Sequence, residues 1–126
     1  MNILFAIAVG GAAGALGRHF VNVGIAASFG LGIPWGTFVV NVCGSFVMGM
    51  LVHVMSTAWT VSPELRALLT VGGLGAFTTF STFSLDAVAL YERGQVMFAA
   101  VYVLASVVGA IGALLIGLRL ARLVFT

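Results

Sequence analysis

Apolar residues fill four long runs along the chain, and between them lie three short stretches where proline, glycine and charge collect. The runs extend from about Ile3 to Phe29, Trp35 to Ser56, Leu65 to Tyr91 and Val96 to Leu118. Each holds the roughly 20 largely apolar residues that a bilayer-crossing helix needs. The pattern therefore predicts an all-α membrane protein of four transmembrane helices, with residues 1–126 forming one domain. The connections support these limits. Pro34 and Trp35 mark a turn followed by an interfacial aromatic, and Trp59 sits at the far boundary of the second run. Pro63 with Glu64 has the form of a helix start, and Glu92-Arg93-Gly94 reads as a polar turn.

The third run is not uniform. Gly72–Ser84 reads GGLGAFTTFSTFS, which places glycines and then hydroxyls at membrane depth. Glycines weaken a helix, and neighbouring hydroxyls can satisfy backbone groups that a break releases. Non-helical backbone survives at that depth only where it is buried in protein or lines a cavity. A helix broken near residues 75–79 is expected, with an ion site at the break. Beyond it, Phe80, Phe83, Ser84, Ala87 and Tyr91 share one helical face, and Thr79, Thr82 and Asp86 another.

Polar residues in the other runs need a reason to be there. Arg18 is expensive inside a bilayer unless it faces water, snorkels or finds a partner, so it is expected in a vestibule, where it would gather anions, or as an anchor for loops. Thr37, Asn41 and Ser45 recur at i, i+4, i+8 on one face of the second run. The Asn41 amide serves either as a neutral donor to an anion or as glue between helices. Phe80 and Phe83 fit core packing, or a narrow path that offers positive ring edges to a small anion. In the fourth run Tyr102 and Ser106 share a face, and the series Ala105, Gly109, Ala113, Gly117 implies close helix approach.

Composition narrows the class further. The 126 residues are 62% hydrophobic and only 6% charged, and the mean hydropathy is +1.24. Little length remains for a soluble domain. The net charge of +2 comes from five scattered arginines, which form no stripe suited to nucleic acid. Cys43, His19 and His53 have no metal-ligand spacing, and no nucleophile-base pair or phosphate loop is present, so the chain does not read as an enzyme. The start, MNILFAIAV, lacks a basic stretch before its apolar run and is expected to remain as the first span. Both termini fall on the side of Arg66, Arg119 and Arg122, opposite Arg93. This bias is weak, and it favours cytoplasmic termini unless the chain inserts both ways.

Taken together, GALGR with Arg18, PWGTFVVN ending at Asn41, and GAFTTFSTFS from Gly75 to Ser84 resemble the CrcB or Fluc family of fluoride channels across nearly the whole chain. The resemblance implies a fluoride-selective passive channel in the cell inner membrane, exporting fluoride as an antiparallel, dual-topology homodimer with two pores. It implies Phe80 and Phe83 as pore phenylalanines, Asn41 as a pore amide and Arg18 as a vestibule arginine. It also implies a structural sodium ion on the Gly75 and Thr78 carbonyls. Thr37, Ser81, Thr82, Tyr102 and Ser106 are further candidates for a polar track. Three features depart from the family pattern: Asp86 stands where relatives commonly have glutamate, Ala110 and Leu114 where they often have hydroxyls, and the arginine bias exceeds what strict dual insertion prefers. The partners expected are fluoride, the lipid bilayer and an inverted copy, with no nucleic acid.

Two other classes compete. A small dual-topology, proton-coupled exporter of organic cations would use a membrane carboxylate, for which Asp86 is the candidate. A non-transporting assembly subunit would explain the small-residue faces but not Arg18, Asn41 and the hydroxyl-rich break together.

Overall fold

The computed structural model describes residues 2–125 and contains four helical spans long and apolar enough to cross a membrane. Helix α1 covers Ile3–Phe29 and is capped by the Asn2 side chain, which accepts from the Leu4 N–H at 2.7 Å. Helix α2 covers Trp35–Thr57. The third span is composite. A short α3, Pro63–Arg66, starts under a Ser62 cap with proline at its first turn, and it continues as a π-helical segment, Ala67–Leu74. One further turn, α4 (Gly75–Phe77), leads to the break, after which α5 covers Phe80–Glu92. The last helix, α6, covers Val96–Val124. It runs beyond the expected limit at Leu118 because Leu, Ala and Arg are good helix formers and the arginine stems can leave the bilayer without unwinding the backbone.

The break falls inside the expected window, but glycine does not cause it. Gly75 is right-handed helical at φ −60°, ψ −37°. The chain leaves the helix at Thr78 (φ −84°, ψ 160°) and Thr79 (φ −154°, ψ 122°). Both are β-branched, and extended backbone suits them. Glycines with positive φ, Gly30 and Gly94, are in the connecting turns.

Gly72 acts in packing instead, since an added methyl group there would overlap the Ile7 carbonyl of α1. The chain wraps α1 against the π-helical segment, and a methyl group on Gly14 would overlap the Gly73 carbonyl oxygen. The second and fourth spans make the most extensive pairing, and they cross where Gly49 meets the Leu114 carbonyl and Gly117 meets the Phe46 carbonyl. Such contact needs small residues, as is common where helices meet inside lipid. The eight-residue π-helix was not expected, and it is long for a conformation usually limited to single-turn bulges.

Replacing Gly49 by alanine should destabilise the fold by about 1–3 kcal/mol, because the added carbon meets backbone rather than a movable side chain. Gly24→Ala, in open space, should leave thermal stability in detergent unchanged. Equal melting of the two variants would show that the α2–α6 crossing is not tight.

Candidate functional site

The two-residue break is held by one side chain from another span. An extended residue presents its N–H and C=O to the same side, as in a β-ladder pair. Asn41 on α2 meets both. The Thr79 N–H donates to Asn41 Oδ1 at 2.8 Å, and Asn41 Nδ2 donates to the Thr79 carbonyl at 3.0 Å. The threonine side chains finish the two helix ends. The Thr79 hydroxyl accepts from the Thr82 N–H at 3.1 Å as the N-cap of α5, and the Thr78 hydroxyl donates back to the Leu74 carbonyl at 2.9 Å. Among the described residues, no hydrogen bond reaches the Gly75 or Thr78 carbonyl. Those two oxygens are left as a hard, neutral donor set beside the break.

A cavity of about 350 Å³ opens against this backbone. Asn41 and Ser45 line it from α2, Thr78 and Thr79 from the break, Phe80 and Phe83 from α5, and Ser106 and Ala110 from α6. Ser106 is buried, and its hydroxyl has no hydrogen-bond partner. The Phe80 and Phe83 ring centroids are 5.5 Å apart, and Phe83 lies 5.4 Å from the Tyr102 ring. The wall thus combines hydroxyls with phenyl rings and carries no carboxylate or basic group.

A second cavity, nearer the 30–34 turn, includes Asn22, Thr37, Thr82 and Asp86 in its lining. Tyr102 connects the two regions, because its ring packs on Phe83 while its hydroxyl donates to Asp86 Oδ2 at 3.3 Å.

Five of the eleven predicted site residues therefore converge. Asn41, Thr78, Phe80, Phe83 and Ser106 meet at the first cavity, with Gly75 one turn before the break. Thr37 and Thr82 belong to the second, and Ser81 is exposed with its hydroxyl 3.4 Å from that of Thr79. Arg18 is half-buried on α1 and lines neither cavity. Phe80, Phe83 and Tyr91 lie on one face of an α-helix, as their spacing requires, but that face crosses from buried to exposed. Phe83 is 7% exposed, whereas Phe80 is 77% and Tyr91 63% exposed, because Leu90 and Phe83 take the inward positions of α5. Ala110 adds an apolar stretch to the wall, and Leu114 is committed to the α2–α6 crossing. Thr79 and Asn22 were not among the site candidates. The signal for Thr79 was its place next to Thr78 in a segment already expected to unwind.

Asn41→Ala would leave the Thr79 N–H and C=O without partners, a loss of about 2 kcal/mol or more if both remain buried. Thr79→Val keeps the clamp and loses the cap, at about 1 kcal/mol. Denaturant titration in detergent should rank Asn41→Ala below Thr79→Val, and the reverse order would show that the clamp does not hold the break.

The family model described as "CrcB-like protein, Camphor Resistance (CrcB)" matches residues 5–118. A protein of Rhodospirillum centenum named "Fluoride-specific ion channel FluC" is 48% identical over 122 residues, covering 97% of each chain. A protein of the same name from Chelativorans sp. is 51% identical over 119 residues, covering 94% of this chain and 95% of its own. That of Agrobacterium fabrum, again so named, is 47% identical with the same coverage. With a match over nearly its whole length and a threonine break at its centre, the chain belongs to the CrcB-like family.

Proposed function

We propose that the protein is a fluoride-selective, passive ion channel of the bacterial plasma membrane that lets fluoride leave the cytoplasm down its electrochemical gradient. The observation that carries this reading is the buried, unpartnered Ser106 hydroxyl facing a cavity walled by Phe83, Phe80 and the threonine break. A buried donor without a partner is costly unless a mobile ligand supplies one. Fluoride is small and strongly hydrated, so leaving water requires several weak donors in a narrow space. Ser106, Ser45 and the positive edges of two phenyl rings supply such donors without a fixed countercharge that would trap the ion. Relatives at 47–51% identity carry the name of a fluoride-specific channel. The protein is a channel and not an enzyme.

The working unit in this proposal is a homodimer with an inverted copy in the bilayer. Phe80, 77% exposed, borders a cavity that a single chain leaves unfinished, and a second copy supplies the missing wall. Twofold symmetry then gives two equivalent pores. The free Gly75 and Thr78 carbonyls suit a structural sodium ion, since neutral oxygens match a hard monovalent cation and a second chain raises them to four. The sodium would tie the two breaks together. Arg18, outside the cavity, gathers anions toward it. Thr37, Thr82, Ser81 and Tyr102 extend the polar track toward the 30–34 turn. A proton-coupled exporter of organic cations finds no support, because the one carboxyl group among these cavities, Asp86, is engaged by Tyr102.

Liposomes holding only this protein should release fluoride rapidly and chloride barely. Equal release would remove the selectivity claim. Phe80→Ile and Phe83→Ile should each suppress fluoride flux in a dimer that still elutes normally from a sizing column, and Ser106→Ala should lower flux by up to about tenfold, the worth of one neutral hydrogen bond.

A further inference from the structure

The conducting track, on the reading above, needs a mouth at the end of the bundle where the 30–34 and 93–95 turns meet. A third cavity, of about 200 Å³, lies there, lined by Leu31, Pro34, Asp86, Ala89 and Arg93. It shares Leu31, Pro34 and Asp86 with the cavity that contains Thr37 and Thr82, so the two spaces adjoin around the Asp86 side chain. An anion that enters by this route meets a carboxylate before it meets a hydroxyl. The carboxylate alone would oppose it.

Arg93 is placed to offset that charge. It is the one arginine at this end of the helix bundle, since Arg66, Arg119 and Arg122 lie at the other end and Arg18 lies within α1. Its guanidinium borders the same cavity as Asp86 and donates from Nη2 to the Gly32 carbonyl at 3.0 Å. That bond holds the side chain across the gap between the two turns. Among the described residues Arg93 and Asp86 form no ion pair, so the positive charge is not consumed by the carboxylate and its remaining N–H groups are available.

We infer that Arg93 is the anion-gathering residue of this mouth: its guanidinium, tethered to Gly32, binds small monovalent anions transiently and offsets the Asp86 carboxylate on the way to Thr82 and Thr37. The inference rests on the channel reading, and it concerns how ions arrive rather than which ion passes. A charge at a mouth raises local ion concentration, and salt screens this effect over about 10 Å at 0.1 M. A tether that merely ordered the turns would have no such salt dependence.

The test is fluoride flux from liposomes at low and at high ionic strength, using potassium gluconate as the screening salt, for the wild-type protein, Arg93→Gln and Arg93→Lys. The expected result is a fall of about two- to fourfold for Arg93→Gln at low salt that shrinks toward wild type as salt rises, while Arg93→Lys, which keeps the charge, stays near wild type. Wild-type flux in Arg93→Gln at low salt would overturn the inference and leave the channel reading intact. A loss that persists undiminished at high salt, or one shared by Arg93→Lys, would also overturn it and assign Arg93 to turn packing. Absence of selective fluoride flux in the wild-type protein would instead defeat the channel reading on which the inference stands.

Discussion

The amide of Asn41 on both backbone groups of Thr79 is the contact from which the rest of the site follows. Extended residues inside a bilayer need a hydrogen-bonding surface, and neither lipid nor a neighbouring helix backbone provides one. One asparagine can do so because its carboxamide reproduces the donor and acceptor of a peptide unit. With Thr79 held, the chain has room to end one helix and begin another, and Thr78 and Thr79 close the ends with their own hydroxyls. The Gly75 carbonyl remains free because its usual partner, the Thr79 N–H, is taken by Asn41, and the Thr78 carbonyl because its usual partner, the Thr82 N–H, is taken by the Thr79 hydroxyl.

Packing keeps this arrangement rigid. Two close crossings, α1 with the π-helical segment and α2 with α6, bring backbones near enough that glycine is required on at least one side. The break lies between them. Asn41 is two turns from the tight crossing at Gly49, so its position relative to Thr79 inherits the precision of the α2–α6 pair. The same crossing positions Ser106, which sits on α6 before the small residues that meet α2.

Much of this was legible along the chain. Runs of twenty or more apolar residues separated by proline, glycine and charge admit few alternatives to four membrane helices, and the hydroxyl-rich GAFTTFSTFS marked the unwound region within a few residues. The cause of the unwinding was not legible. Gly75 is the stronger helix breaker by intrinsic preference, but the partner that stabilises non-helical backbone, Asn41, is 38 positions away and chooses Thr79. The spacing of Thr37, Asn41 and Ser45 left Asn41 open between facing an ion and bridging helices; its amide bonds the Thr79 main chain and the residue also lines the first cavity. The π winding left no trace because ALLTVGGL has too few polar residues to reveal a period of either kind. Phe80 and Phe83 share helical spacing, yet a three-residue step spans the boundary between buried and exposed, and only tertiary packing decides where it falls.

The pairing of spans bears on how the protein is made. Gly14 meets Gly73 while Gly17 meets Phe77, and Gly49 meets Leu114 while Gly109 meets Val42, so first packs with third and second with fourth, each running alongside its mate in the same direction. A nascent chain threading into the bilayer hairpin by hairpin therefore places no span beside its principal mate at the moment it is released. The first must idle in lipid until the third arrives, and the second until the fourth. The most extensive pairing consequently waits for the last helix, and a product truncated before it would leave the second span without its mate.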